Sequence, residues 1–140
     1  MKRKLENIDS LNQLLQGEYM AVESFNNFIS KVEDEKTKKV FQEVQSKHRE
    51  NINLLADHIQ NIGGQPDENL GMKGKMAEVM LNMKLDYKDT NEVIEKAIEG
   101  ETQGINKAEK ILRGNLDDES RTISELVLDN DRDSINKLKG

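Results

Sequence analysis

Apolar residues recur at three- and four-residue intervals in four stretches of the chain, the spacing that places them on one face of an α-helix. The first stretch runs from about Asn7 to Val32 and carries Leu11, Leu14, Leu15, Val22, Phe25, Phe28 and Ile29. The charged turn Glu33-Asp34-Glu35-Lys36 ends it. A second begins near Thr37, carries Val40, Phe41, Val44, Ile52, Leu55, Ile59 and Ile62, and stops at Gly63-Gly64, where glycine supplies the left-handed backbone of a helix C-terminus. Pro66 reinforces that break. The third runs from about Thr90, read as an N-cap, to Arg113 and is closed by Gly114. The fourth starts near Asp117 or Asp118 and continues to the end. Between Gln65 and Asp89, Met72, Met76, Met80 and Met83 recur at helical spacing and predict a short crossover helix.

Connection lengths set the expected topology. Short joints between the first and second helices, and between the third and fourth, make each pair an antiparallel hairpin; the long middle connection can run the length of a bundle. The expectation is an all-α four-helix bundle over residues 1–140, with hairpins at 7–64 and 90–138 and a crossover at 65–89. Composition agrees with that class. One proline and 4% aromatic residues disfavour a sandwich or barrel, which needs many strands and turns. The absence of cysteine excludes disulfides, thiolate metal sites and a thiol nucleophile. A net charge of −6 with scattered basic residues argues against a nucleic-acid partner. No apolar run is long enough for a membrane span, so the expectation is a soluble cytoplasmic protein with no membrane partner.

The two hairpins align with each other at a constant offset of 83 positions, without a gap: Leu11 with Ile94, Leu15 with Ile98, Gly17 with Gly100, Glu18 with Glu101, Val22 with Ile105, Val44 with Val127, His48 with Asp131, and Ile52 with Ile135. Projection at about 100° per residue then places four polar residues within the apolar stripes. They are Glu18, His48, Glu101 and Asp131. Each lies about 14 to 16 residues from its hairpin turn, so at 1.5 Å per residue all four should converge at one level of the bundle. Three carboxyl groups and an imidazole cannot remain uncompensated in an apolar interior. Two compensations are open: a divalent metal such as iron, manganese or zinc, or a metal-free hydrogen-bonded network that shares protons.

With Phe41-Gln-Glu-Val-Gln-Ser-Lys-His48-Arg49-Glu50, Ile62-Gly63-Gly64-Gln65-Pro66 and Glu99-Gly100-Glu101, the chain resembles the ferritin-like superfamily over about residues 7 to 138. It is most similar to a bacterial branch of small stand-alone ferritin-like proteins of unknown function. The superfamily's di-iron site uses single glutamates on two helices and a Glu-x-x-His pair on each of the other two. The resemblance implies that Glu18 and Glu101 stand for the single glutamates and His48 for one histidine. Asp131 takes the place of the second histidine, and the positions of the bridging glutamates hold Gln45 and Leu128. Loss of both bridges implies at most one metal, held by Glu18, His48, Glu101 and Asp131, and a binding or stress-related role in place of turnover. A metal-free interaction bundle is the alternative, and residual ferroxidase activity a weaker one.

Gln45, Asn51, Asn130 and Ser134 flank the four residues and are candidate hydrogen-bond partners for them. Gly17 and Gly100, each just before an inward glutamate, cost helix stability; close approach of neighbouring helices is the expected reason, and backbone access to the site the alternative. The methionine stripe and the modest apolar content make a homodimer conceivable.

Overall fold

Each of the four stripes is a helix in the computed structural model, which describes residues 2–68 and 89–140. Helix α1 spans Lys2–Lys31, α2 Glu35–Asn61, α3 Thr90–Leu112 and α4 Asp118–Lys139. Helix α1 starts well before Asn7, because apolar periodicity marks only the buried length of a helix. Its first turns instead hold residues that face water, such as Leu5, which is 62% exposed. The crossover helix expected over 72–83 lies outside the described residues.

Local chemistry fixes the helix ends. Asp34 caps α2, its carboxylate accepting from the Thr37 amide at 2.9 Å and the Thr37 hydroxyl at 2.6 Å. At the other end Gly63 has φ of 85°, its amide donates to the Gln60 carbonyl, and the Gly64 amide donates to the Ile59 carbonyl. These two bonds form the paired closure that glycine permits after a helix. The third helix is capped by Asp89, not by Thr90: the Asp89 carboxylate accepts from the Asn91 amide at 3.1 Å and Thr90 is the first helical residue. Both side chains can cap, and the negative charge of aspartate is favoured at the positive end of the helix. Asp117 caps α4 by accepting from the Ser120 amide at 2.8 Å. The Arg121 guanidinium reaches back to the carbonyls of Leu112 and Gly114, satisfying the end of α3.

Helix α1 packs against α2 and α3, and α4 against α2 and α3, so each helix has two close neighbours and one diagonal partner. The apolar core divides into two parts. One contains Leu11, Leu15, Leu55, Ile59, Ile105 and Leu128. The other contains all three phenylalanines of the chain, with Val44, Val93 and Ala97. Phe25 meets Phe28 and Phe41 edge to face, at ring separations of 5.3 and 5.6 Å. On every helix the residues of one part precede the inward polar residue and those of the other part follow it. The polar layer therefore lies between the two parts, sealed from either end.

Candidate metal centre

Glu18, His48, Glu101 and Asp131 are all buried, none more than 6% exposed, and they meet. Each helix contributes one, because each occupies a stripe position one step from core residues on both sides. His48 is at the centre. Its Nδ1 lies 2.9 Å from Glu18 Oε1 and 3.3 Å from Asp131 Oδ1, and its Nε2 lies 2.8 Å from Glu101 Oε1. Phe25 lies beside the ring, with centroids 5.9 Å apart.

The electrostatics follow from this arrangement. Burial pulls the His48 pKa down, but the Glu18 and Glu101 carboxylates at its two nitrogens outweigh burial and hold it well above its ordinary value. In the metal-free layer His48 is therefore an imidazolium that donates from both nitrogens. Asp131 goes the other way for a carboxyl group. Burial, then the neighbouring Glu18 charge, push it up to about 10, so at neutral pH it keeps its proton and hydrogen-bonds Glu18.

Of the flanking residues, two join the layer. The Asn51 amide donates to Glu18 Oε1 at 2.6 Å and to Asp131 Oδ1 at 3.1 Å, and Asn130 donates to Asn51 Oδ1 at 2.9 Å. Gln45 is turned to α1, where it donates to the Val22 carbonyl and Asn26 Oδ1 at 2.8 and 2.7 Å. Gln45 thus ties α2 to α1. Ser134 donates to the Asn130 carbonyl of its own helix. Arg132, next to Asp131, lies on the outside and pairs with Glu109 and Asp129.

The ligand atoms of Glu18, His48 and Asp131 all lie within 4.8 Å of one another. Bonds of about 2.1 Å to nitrogen and oxygen place tetrahedral donors about 3.4 Å apart, close to the spacing around Nδ1. The three residues fit a divalent cation in donor type and in separation. Glu101 stands on the opposite ring nitrogen, where a carboxylate accepting from a ligating histidine fixes its tautomer and orientation.

The glycines beside the site do not serve close packing. A Cβ built on Gly17, Gly100 or Gly104 meets nothing within 4 Å. All three are exposed and line a cavity of about 290 Å³ between α1 and α3 that reaches Glu18, His48, Glu101 and Asp131.

A second buried polar cluster lies apart from the four-residue layer. His58 Nε2 lies 2.8 Å from Ser120 Oγ, and Asn7 donates to Ser120 Oγ and Asp117 Oδ2 at 3.0 and 2.9 Å. It joins the start of α4 to α1 and α2. His58 is three residues after Leu55 and four before Ile62, so the projection that found His48 also marks it.

An all-helical bundle built in this way, with a buried Glu/His/Asp group that could hold a metal, is a ferritin-like four-helix bundle. The model of a domain of unknown function, DUF2383, matches residues 6–114, and the chain belongs to that family. The matched residues include Glu18, His48 and Glu101 and end before α4, which supplies Asp131. No curated protein matches the chain. Among solved structures it is similar to a dodecameric thioferritin, the bacterioferritin-related protein from Bacteroides fragilis. The TM-score is 0.74 and the identity 20%, over 97% of this chain and 83% of that one. At that identity the likeness concerns the fold. None of the described helices is long and apolar enough to cross a membrane.

Proposed function

We propose that the chain binds one divalent cation in its core through Glu18, His48 Nδ1 and Asp131, with Glu101 accepting from Nε2 to hold the imidazole in the ligating tautomer. The observation that carries this reading is the meeting of three buried ligand atoms within 4.8 Å. Iron, manganese and zinc all suit an imidazole with carboxylates. A bound cation supplies the positive charge that the layer otherwise draws from His48 protonation. Binding therefore requires His48 and Asp131 to release protons, and affinity rises with pH. Gln45 and Leu128 at the two bridging positions leave no carboxylate to hold a second metal, which favours a binding role over oxygen chemistry.

The metal is tested by elemental analysis of protein purified without chelator, beside Asp131→Asn and Glu101→Gln. About one metal per chain is expected in the wild type and almost none in Asp131→Asn. A loss of affinity of about 10- to 100-fold is expected in Glu101→Gln, as for a residue that acts through a ligand. A wild type with almost no metal, whatever cation is supplied, overturns the reading. It would favour the second one, a metal-free structural or interaction bundle, for which the specific observation is that both nitrogens of His48 already have carboxylate partners. The assembly of the thioferritin into a dodecamer supports self-association of this chain, and light scattering on the eluted protein measures it.

A further inference from the structure

The three carboxyl groups of the layer stand on opposite sides of His48, and that limits what they can give a cation. Nδ1 and Nε2 point out of opposite edges of the ring, so Glu101, on Nε2, cannot donate to a cation held at Nδ1. Asn51 offers no donor either: its amide nitrogen is turned to Glu18 and Asp131, and its oxygen accepts from Asn130. The protein therefore supplies Glu18, His48 Nδ1 and Asp131 and nothing more. Tetrahedral coordination needs one further donor, which in a site of this kind comes from outside the protein.

The cavity between α1 and α3 leads to the same place. Glu18, His48 and Asp131 all line it, and the two carboxylate side chains keep 8% of their surface, against 2% for His48. What occupies the cavity can thus touch the residues that would hold the cation.

The walls select the chemistry of that occupant. Leu14, Phe25, Phe28, Ala97, Ile105 and Leu128 make most of the lining apolar. A charged ligand buried among them would lose its hydration without a partner, since the Glu101 carboxylate repels an anion and the bound metal repels a second cation. Lys107, a cation on the lining, is exposed and lies six residues along α3 from Glu101, about 9 Å away from the layer. A neutral molecule bears no such cost. At about 290 Å³ the cavity exceeds the roughly 150 Å³ that accommodates a benzene ring in an apolar protein interior, and Phe25 and Phe28 among its walls favour a flat aromatic body. The nitrogen of a neutral aromatic ring is the same kind of donor as His48 and suits iron and zinc. At the mouth Gly17, Gly100 and Gly104 are exposed and place no side chain across the opening.

We infer that the open position beside Glu18, His48 and Asp131 takes a small neutral heteroaromatic base from this cavity, its ring nitrogen donating to the cation and its ring lying among the apolar walls. The inference rests on the metal reading and adds the ligand to it.

Calorimetric titration with methylpyridine above the pKa of the base tests it, beside toluene, which has the same shape without the nitrogen. The protein is loaded with zinc, or with whichever cation elemental analysis finds bound. Methylpyridine should fill one saturable site and bind about tenfold or more tighter with the cation than after its removal by EDTA, whereas toluene affinity should be the same in both forms. With cobalt(II) as the cation, methylpyridine should shift the visible absorption and toluene should not. Ala108→Leu, which extends a lining side chain into the cavity, should abolish methylpyridine binding while metal content stays at the wild-type level. Gly104→Leu, at an exposed position of the same wall, repeats the test should the first variant misfold, with circular dichroism and melting reporting the fold. Three results would each overturn the proposal and leave the metal reading intact: methylpyridine affinity unaffected by the cation, azide shifting the cobalt spectrum at equal or lower concentration, or methylpyridine binding retained in both filled variants. A wild type that takes up no metal would overturn both.

Discussion

Replacing Asp131 by Asn should stabilise the metal-free protein at neutral pH, although it alters a residue in the centre of the core. Asn has the shape of the protonated carboxyl group that the layer holds. Its oxygen can accept from Asn51 and its amide can donate to Glu18, as the Asp131 hydroxyl does. The difference between the two proteins lies in the unfolded chain, where Asp131 ionises at about its ordinary 3.8, whereas in the fold it is pushed up to about 10. A raised pKa contributes stability that is fully present below the unfolded value and is lost as pH rises toward the folded value. Between pH 5 and 8 the folded protein holds one proton that the unfolded chain has released. The loss is about 1.4 kcal/mol per pH unit, or about 4 kcal/mol over three units. His48, also raised, adds stability that is present below 6.5 and fades as pH rises through its folded value, but it is common to both proteins. At about 3 °C per kcal/mol for a chain of this length, the advantage of Asp131→Asn should widen by about 12 °C in melting temperature from pH 5 to pH 8. The assay is thermal and urea unfolding of both proteins across that range with EDTA present. Parallel pH profiles would refute the reasoning, because Asp131 would then be ionised in the folded layer.

Other residues give equally direct tests. His48→Ala should lower stability by about 3–5 kcal/mol in urea unfolding with EDTA, since it leaves buried carboxyl groups without their cation. Phe25→Ala opens a cavity against Phe28, Phe41 and the His48 ring and should cost about 3–5 kcal/mol. Gly100→Ala should instead stabilise the protein by about 1 kcal/mol, because the added methyl meets nothing within 4 Å; destabilisation would mean that the helices do pack closely there. A metal at a free concentration 100 times its dissociation constant should add about 2.7 kcal/mol, or about 8 °C, and excess EDTA should reverse the gain.

The fold was legible because its signals are local. Stripe spacing located the four described helices, and the breakers at Gly63-Gly64 and Gly114 sit just past helix ends. Helix starts were less legible: α1 begins in polar residues without a stripe, and Asp89 and Thr90 are both competent caps. The four inward residues were legible from projection alone, since a charged residue on an apolar stripe is conspicuous. Their roles were not, because projection gives a level and a direction without saying which ring nitrogen meets which carboxylate. Glu101 and Glu18 are equivalent at the 83-residue offset yet contact opposite sides of His48. Gln45 and Asn51, three residues to either side of His48, look alike as flanking amides; only the structure sends one to the backbone of α1 and the other into the layer. For Gly17 and Gly100 the sequence registers the cost to the helix but not the open space beside them.

The central claim is a single cation on Glu18, His48 and Asp131, and metal stoichiometry in the wild type beside Asp131→Asn tests it most directly. The variant should be the more stable protein without metal, so loss of metal from it cannot be assigned to unfolding. Mass-spectrometric elemental analysis after dialysis against iron(II), manganese(II) or zinc(II) should give about one metal per chain in the wild type for at least one cation and almost none in the variant. Equal metal content in the two proteins, or almost none in the wild type with every cation, would contradict the account.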